Sequence, residues 1–332
     1  MNARKVYNTI VKIVLPLILG GAILYWMYRD FDFGNISYVV LHEMNWTWML
    51  LSFPFGVLAQ MFRGWRWKQV LAPIGECPRT STSIYAIFMS YAVSLVVPRI
   101  GEFARCGVLK RYDGVSFPKA LGTVVTERAV DTLLMGIITA IAFVLHIRVF
   151  NTFFNQTGTR FNDILSGFTS AGWAVTAICA ASVIVLAWLV GRRLSIYNKV
   201  KDTFHGIWQG VTSLRKVDNI PLFIIYSVAI WVCYFLHYYL TFFCFDFTSH
   251  LGFTCALVSF VVGSIAVIVP TPNGAGPWHF AVKTMLVLYG VADTQALYFV
   301  LIVHSVQTLL VVLLGVWGAL GLRKPKAQIS VE

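Results

Sequence analysis

The sequence has little charge. Asp, Glu, Lys and Arg make up 12% of its 332 residues, and 58% are hydrophobic, whereas about 25% of a soluble domain is charged. This scarcity excludes a soluble enzyme, and the 15% aromatic content excludes a disordered chain. The charge is also unequal, with 26 Lys and Arg against 14 Asp and Glu. In a membrane protein such an excess indicates cytoplasmic loops rather than nucleic-acid binding.

Motifs for metal ions and nucleotides are missing as well. None of the six cysteines forms a CxxC pair, so neither a zinc site nor a disulfide framework is indicated. We find no glycine-rich nucleotide-binding loop, and we expect no cofactor. No segment is polar and long enough to form a separate soluble domain. We therefore predict that residues 1–332 form a single transmembrane domain, which is all-α and polytopic.

Long apolar runs are abundant. A helix needs about 20 apolar residues to cross ~30 Å of hydrocarbon. Six segments meet this length and predict full spans: about 9–28, 46–67, 117–147, 171–191, 222–244 and 294–321.

Shorter apolar arms come in two pairs, which brings the total to eight to ten apolar segments. The pairs predict two re-entrant helical hairpins, the first over about 84–112 and the second over about 253–289. With the N-terminus in the cytoplasm and each hairpin returning to its own side, most of the 26 basic residues fall in the cytoplasm. Both termini are then cytoplasmic and the hairpins have opposite orientations, as in inverted-repeat transporters. Residues 192–219 predict an amphipathic helix at the cytoplasmic surface, or equally a solvated linker helix.

Ionisable residues at membrane depth are the strongest functional signal. They lie in Pro98–Arg105 and Thr126–Asp131. Each charge at the bilayer centre costs ~2.5–3.5 kcal/mol, so these groups must pair or line a wet cavity. We expect a network that docks the first hairpin tip onto the helix 117–147. The spacing allows Glu102 and Arg105 to pair at i,i+3 and places Glu127 and Asp131 on one face at i,i+4. The network either locks the hairpin in place or offers arginines to an anionic ligand. The candidate residues are Arg99, Glu102, Arg105, Glu127, Arg128 and Asp131.

The second hairpin has a different tip, in which Pro270–Gly276 breaks the helix and Pro277 restarts it. Unwound backbone at membrane depth must be buried in protein or line a cavity, and the free N–H groups of the new helix favour phosphate or carboxylate; a simple extramembrane turn is the alternative. The candidate residues here are Asn273, Gly274, Gly276, His279 and His304, the two histidines as a pair across the site. We interpret His237 as a packing residue.

Basic and aromatic residues also alternate at the end of the second span. Arg63, Arg66 and Lys68 alternate with Trp65 and Trp67. We interpret them as an anchor at the inner membrane interface, with contact to a lipid headgroup as the alternative.

These motifs resemble the transmembrane region of lysylphosphatidylglycerol synthases, a flippase-like integral membrane family. The resemblance runs nearly end to end and rests on Arg63–Trp67, Pro98–Arg105, Glu127–Asp131 and Pro270–Gly276. It implies a multi-pass protein of the bacterial cytoplasmic (inner) membrane that binds or moves lipids with charged headgroups. The family usually has a Glu where this chain has His279, and often an Arg near His304. The sequence ends at Glu332 with no aminoacyl-transferase domain, so we do not expect the synthetic activity.

The function predicted from these features is lipid transport. A phosphate-bearing headgroup, from a phospholipid or a polyprenyl-linked or glycolipid substrate, would bind between the two hairpin tips. One alternative is a membrane-embedded lipid-modifying enzyme with Glu127, His279 or His304 as acid or base, although no catalytic or metal motif supports it and none of these residues is predicted to be catalytic. The other is a regulatory or partner subunit of a separate glycosyl- or aminoacyl-transferase. The expected partners are lipid and the membrane, with a homo-oligomer possible and no nucleic acid.

Overall fold

The protein is all-helical in the residues that its computed structural model describes, which are 17–97, 100–145, 208, 212–269 and 271–323. No strand occurs in these ranges. Short 3-10, π and α-helical turns connect longer helices. The longer helices are α1 Leu17–Tyr28, α2 Trp46–Leu71, α3 Thr80–Ser94, α4 Ile100–Asp113, α5 Phe117–Leu145, α6 Ile220–Tyr239, α7 Gly252–Ala266, α8 Pro277–Leu288 and α9 Asp293–Gly321.

Local signals explain where several helices begin. The side chain of Asn45 accepts a hydrogen bond from the Thr47 backbone at the start of α2. Asn219 caps α6 in the same way through the Leu222 backbone N–H. Asparagine is among the preferred N-caps because its side-chain oxygen satisfies a backbone donor that has no partner inside the helix. Pro277 occupies the first position of α8, where a missing N–H costs nothing.

Helix α2 lies at the centre of one half of the bundle and runs antiparallel to α6. The Ser52 carbonyl bonds His237 Nδ1 at 2.9 Å, and Arg66 Nη1 donates to Ser227 Oγ at 3.2 Å. Early residues of α2 therefore meet late residues of α6. The interpretation of His237 as a packing residue fits this backbone contact.

Helices α3 and α4 form hairpin one, and its arms touch at a glycine. A Cβ on Gly101 would collide with the Ser90 carbonyl oxygen. Hairpin one also packs on α9, where Gly315 faces Ala92 and Gly318 faces the Tyr85 carbonyl. Small residues allow this close approach, which is the main way that helices associate tightly inside a membrane.

Helices α7 and α8 form hairpin two. Trp278 and Val282 of α8 pack directly against Gly263 of α7. The core on this side of the bundle also includes Phe242, Phe299 and their neighbours. Between the two arms, residues 271–276 form a short irregular segment with a 3-10 turn over Pro272–Gly274.

The two hairpins project from opposite ends of α9. At the end of α9, Arg79 donates to the Arg323 carbonyl and to Asp113, which fixes the open end of hairpin one there. The open end of hairpin two leads within a few residues into the start of α9, where Lys283 pairs with Asp293. The hairpins therefore point in opposite directions along α9.

Three helical segments are long and apolar enough to cross a membrane: Phe117–Leu145, Ile220–Cys244 and Asp293–Gly321. They coincide with three of the six predicted spans. The predicted span at 46–67 is a longer helix, Trp46–Leu71, and the predicted span at 9–28 is described from Leu17. The predicted span at 171–191, Arg99 and most of the predicted surface helix at 192–219 lie outside the described residues.

Candidate functional site: a charged core and an unwound hairpin tip

Asp131 of α5 is held by two arginines of α2. Arg63 Nη1 lies 3.0 Å from Asp131 Oδ2, and Arg66 Nη2 lies 2.8 Å from Oδ1. Arg63 and Arg66 are three residues apart and therefore share one helix face. All three side chains are buried, so each oxygen of this carboxylate has its own guanidinium partner.

Glu127 lies one turn before Asp131 and is fully buried. Its Oε2 is 2.7 Å from Arg105 Nη2 of α4, and its Oε1 is 3.8 Å from Arg66 Nε. Arg66 therefore bridges both carboxylates of α5. We call Arg63, Arg66, Arg105, Glu127 and Asp131 the charged core.

A second ion pair lies at the edge of the charged core. Arg128 Nε is 2.7 Å from Glu102 Oε1, and the two side chains are 44% and 30% exposed. Arg128 Nη1 also lies 3.9 Å from Asp131 Oδ2. We call Arg128 and Glu102 the rim pair, because it joins the charged core to the accessible surface of α4 and α5.

The charges of the core and rim do not cancel. Four arginines, namely Arg63, Arg66, Arg105 and Arg128, face three carboxylates, which leaves one net positive charge among the described residues. Arg105 Nε and Nη1 and Arg63 Nε are buried and have no hydrogen-bond partner within the described ranges. Buried donors without partners are costly, so an anion that reached Arg105 would gain hydrogen bonds as well as charge attraction.

Aromatic rings contact two of the three buried arginines, Arg105 and Arg63. The Arg105 guanidinium lies 4.4 Å from the centre of the Trp67 ring, within the range of a cation–π contact. Trp67 is itself fixed because its Nε1 donates to Thr123 Oγ1 at 2.9 Å.

Arg63 lies between two tyrosines. Its Cζ is 5.9 Å from the ring of Tyr91 and 5.9 Å from the ring of Tyr234. The two tyrosine hydroxyls are 2.6 Å apart. Tyr91 comes from α3 and Tyr234 from α6, so this pair connects hairpin one to the rest of the bundle.

The structure brings five of the predicted residues together: Glu102, Arg105, Glu127, Arg128 and Asp131. The expected network between hairpin one and α5 is present, but the i,i+3 pair that the spacing allows is not formed. Glu102 bonds Arg128 across the helix interface instead of Arg105 on its own helix. Arg105 points inward and pairs with the buried Glu127.

Arg63 and Arg66 were missed as part of this site. Their interpretation as an interfacial anchor is wrong, since both are buried in the charged core. An arginine–tryptophan run at a helix end is typical of an anchor, which explains the error. The available signal was the spacing, because Arg63, Arg66 and Trp67 share one face of α2 that must pack against something.

The tip of hairpin two is bound to the middle of α9. Asn273 adopts the left-handed conformation, with φ of 54°, and its Nδ2 donates to Thr308 Oγ1 at 2.6 Å. The Asn273 carbonyl lies 3.1 Å from His304 Nε2. The side chain and the backbone of one residue thus contact α9 at neighbouring turns.

The predicted histidine pair is also brought together. The ring centres of His279 and His304 are 4.4 Å apart, and Trp278 lies 5.1 Å from His304. His279 Nδ1 accepts a long hydrogen bond, 3.4 Å, from the Gly276 N–H. The N–H of the N-cap residue Gly276 is therefore satisfied by His279.

Glycines give the tip its shape. Gly274 and Gly276 have φ of 69° and 93°, which side chains with a Cβ rarely adopt. A Cβ at Gly276 would lie 3.0 Å from the Gly20 carbonyl of α1. The unwound segment is thus packed against α1 as well as α9.

Helix α9 packs against both hairpins. Gly315 opposes Ala92 and Gly318 opposes Tyr85, so α3 and α9 are antiparallel. The end of α3 therefore points along α9 toward Thr308, which binds Asn273 of the second tip.

Metal-binding groups form no cluster in the part of the chain that the structure describes. No set of three or more His, Cys, Asp and Glu side chains there could hold a metal ion. The donors gathered at this site are guanidinium, imidazole, amide and hydroxyl groups, and guanidinium is the side chain best suited to phosphate.

Long apolar helices around a buried, net-positive arginine cluster define a multi-pass, all-helical membrane protein. The chain belongs to the lysylphosphatidylglycerol synthase TM region family, whose sequence profile matches residues 13–315. This membership confirms the resemblance seen in the motifs and relates the protein to lipid metabolism. Neither a curated protein nor a solved structure matches the chain.

Proposed function

We propose that the protein is a flippase-like lipid transporter that binds a phosphate-bearing headgroup between its two hairpin tips. The observation that carries this proposal is the net positive charge of the core and rim, with guanidinium donors of Arg105 that have no partner among the described residues. A buried charge without a partner is expensive. Such a cluster is expected where an anion binds as part of the working cycle.

The depth of the cluster supports the same function. Glu127 and Asp131 lie 10 and 14 residues into α5, which begins at Phe117, and this corresponds to ~15–21 Å of helix. A membrane core is ~30 Å thick. If α5 starts at the cytoplasmic surface, these carboxylates and their arginines lie close to the midplane, where a moving headgroup has to pass.

The arrangement of the hairpins supports alternating access. Arms α3 and α7 have 15 residues each, so each rises ~22 Å, too short to cross. We propose that both hairpins are re-entrant, hairpin one from the cytoplasm and hairpin two from outside. Oppositely directed broken hairpins with a site between their tips are the usual transporter arrangement.

Headgroup binding would begin at the rim pair. Because Arg128 is half-exposed, a lipid phosphate can replace the carboxylate of Glu102 at little cost. Arg105 and Arg99 would then bind the same phosphate. Glu127 and Asp131 keep the arginines oriented. We propose that Asn273, Gly274, Gly276, His279 and His304 receive the headgroup in the alternate state of the cycle.

Location and assembly follow from the same proposal. We place the protein in the bacterial cytoplasmic membrane with both termini in the cytoplasm. The basic ends of hairpin one and α9, including Arg79 and Arg323, then face the anionic inner leaflet. Its partner is a phospholipid, a polyprenyl lipid or a glycolipid, and a homo-oligomer or a separate transferase is compatible with this arrangement.

The test is lipid exchange in proteoliposomes. The purified chain is reconstituted with fluorescent analogues of native phospholipids, and exchange across the bilayer is followed by chemical quenching of the outer leaflet. We expect faster exchange than in protein-free vesicles and in vesicles with an unrelated helical membrane protein. Equal rates for every lipid tested would overturn the proposal.

A further inference from the structure

We infer that the tip of hairpin two is a proton-binding site formed by His279 and His304, and that proton uptake there releases the tip from α9. This site shares no residue with the charged core or the rim pair. Its link to lipid movement rests on the proposed function, because only a cycle in which the tip moves would be driven by the proton.

The hydrogen bonds of the docked tip fix the position of the proton on each imidazole. His279 Nδ1 accepts from the Gly276 N–H, so the proton of this neutral ring is on Nε2. His304 Nε2 lies 3.1 Å from the Asn273 carbonyl, which can only accept, so here too the proton is on Nε2. The docked contacts therefore match two neutral rings with Nδ1 unprotonated.

Further protons are unfavourable in this arrangement. On His279 an added proton would occupy Nδ1, where it would face the Gly276 N–H and replace a hydrogen bond by two opposed donors. If His304 were charged as well, two cations would have ring centres 4.4 Å apart and would repel each other. His279 is also only 3% exposed, and a buried charge without a partner is costly. The docked tip thus holds fewer protons than a tip that has left α9.

The surrounding helices provide no free negative charge to hold an added proton. Helices α1, α6 and α7 contain no Asp, Glu, Lys or Arg within their described bounds. Helices α8 and α9 contain one charge of each sign, Lys283 and Asp293, and these two pair with each other. Lys283 lies one turn after His279, so the nearer of the two charges on these helices is positive.

The other titratable groups that approach the tip are tyrosines. The ring centre of Tyr28 in α1 is 6.2 Å from that of His279, and Tyr238 of α6 contacts Trp278. A tyrosine is neutral at physiological pH and offers no counter-charge. His237 of α6 faces α2 instead, where it bonds the Ser52 carbonyl.

Docking also leaves polar atoms of the tip unsatisfied. Thr271 Oγ1 and Tyr28 Oη are buried without a hydrogen-bond partner within the described ranges. Such groups would gain hydrogen bonds in water, so their burial reduces the amount by which docking is favoured. A change of one or two charges can then shift the balance between the docked and released tip.

Proton binding and release of the tip are therefore linked. An exposed imidazole binds a proton near pH 6.5, so the docked tip is favoured above this pH and loses that advantage as the pH falls. A difference of one proton changes the ratio of released to docked protein about tenfold between pH 7.5 and 5.5. The proton comes from the water that reaches the released tip. Charged imidazoles are also good donors to phosphate, so the proton and the headgroup would bind there together.

The experiment follows release of the tip through one introduced thiol. Thr271 is 4% exposed and packs against Gly20 of α1, so Thr271→Cys in a Cys179→Ala background hides the thiol while the tip is docked. The detergent-solubilised full-length protein is treated with a maleimide at pH 7.5 and 5.5. Labelling of the new thiol is divided by that of the exposed Cys77 in the same sample, which corrects for the pH dependence of thiol reactivity. We expect this ratio to rise about tenfold at pH 5.5.

Glutamine variants separate the proton from the hydrogen bonds. His279→Gln keeps an acceptor for the Gly276 N–H, and His304→Gln keeps a donor for the Asn273 carbonyl, but neither side chain titrates. The double variant should give the same ratio at both pH values, and each single variant a smaller change than the two histidines together. His250→Gln, at an exposed histidine outside the tip, is the matched control and should keep the tenfold change.

The outcomes distinguish the inference from the proposed function. A ratio that does not change with pH, or a change that the double variant keeps, overturns the proton site. Lipid exchange in proteoliposomes is measured at the same two pH values. Exchange at a rate that does not follow the labelling ratio overturns the link to the proton and leaves transport standing. If labelling follows pH but no lipid is exchanged at either pH, the proton site stands and the proposed function is wrong.

Discussion

Arg105 of α4 and Glu127 of α5 form an ion pair of 2.7 Å in which both side chains are almost completely buried. This contact fixes hairpin one to the long helix α5 at a depth where water is scarce. It also divides the arginines of the site into two kinds. Arg63, Arg66 and Arg105 are enclosed by carboxylates and aromatic rings, whereas Arg128 remains accessible at the rim.

The burial of Glu127 predicts a large loss of stability when its charge is removed. Glu127→Gln keeps the size of the side chain but leaves Arg105 without a counter-charge, which costs ~3–5 kcal/mol. Thermal unfolding of the detergent-solubilised protein measures the effect. The matched control is Glu102→Gln in the exposed rim pair, where the expected cost is below ~1 kcal/mol. Similar losses in the two variants would contradict the burial difference.

The contact at Gly101 predicts that hairpin one has no room for a side chain there. Gly101→Ala places a Cβ against the Ser90 carbonyl, so the hairpin must open and move Arg105. We expect less folded protein and a lower unfolding temperature. Gly107→Ala, on the same helix with nothing within 4 Å, is the control, and it gains up to ~1 kcal/mol of helix propensity. A Gly101→Ala protein as stable as Gly107→Ala would exclude this close packing.

The bond between Asn273 and Thr308 predicts energetic coupling between hairpin two and α9. Asn273→Gly keeps the left-handed backbone and removes the side-chain donor, and Thr308→Val removes the acceptor. A double-mutant cycle on unfolding stability should give a coupling of ~0.5–1.5 kcal/mol. In the Asn273→Gly variant, Gly315 and the other distant positions of α9 are unchanged. The remaining packing of α9 therefore stays intact. Strictly additive effects would mean that the bond contributes nothing.

The proposed topology predicts which cysteines can be labelled from each side of the membrane. Cys77 is exposed in the turn between α2 and α3, on the side proposed to be cytoplasmic. In a Cys179→Ala background, a membrane-impermeant maleimide should react with Cys77 in inside-out vesicles only. The other described cysteines are buried and should stay unlabelled: Cys106, Cys233, Cys244 and Cys255. Added on the opposite side, Asn35→Cys should react in intact cells, and the reverse pattern would invert the proposed topology.

The pattern of apolar runs was sufficient to predict the described helices and the arms of both hairpins, since a helix of given length and composition is a local property. The charged network was also predictable in outline, because unpaired charge cannot remain at membrane depth. Its partners were not predictable. Glu102 can reach Arg105 by spacing alone, yet which partner it bonds depends on how α4 packs against α5.

The role of α2 shows why the rest of the site could not be read from the sequence. The same arginines next to tryptophans serve equally well as an interfacial anchor or as buried ion-pair partners. Only the packing of the helices separates the two interpretations. In the folded chain, Gly64 of α2 touches Ile84 of α3 and Arg63 pairs with Asp131. With these two arginines included, the described site carries one net positive charge.

The most direct test of the central claim is the initial rate of phosphatidylglycerol exchange in proteoliposomes for wild-type protein and Arg128→Gln, with Gly107→Ala as a folded control. If Arg128 is the accessible guanidinium that receives the phosphate, its substitution should lower the rate at least about tenfold, the effect of losing one charge-assisted contact. Gly107→Ala should exchange lipid at the wild-type rate. An Arg128→Gln protein that exchanges phosphatidylglycerol as fast as the wild type would contradict the account.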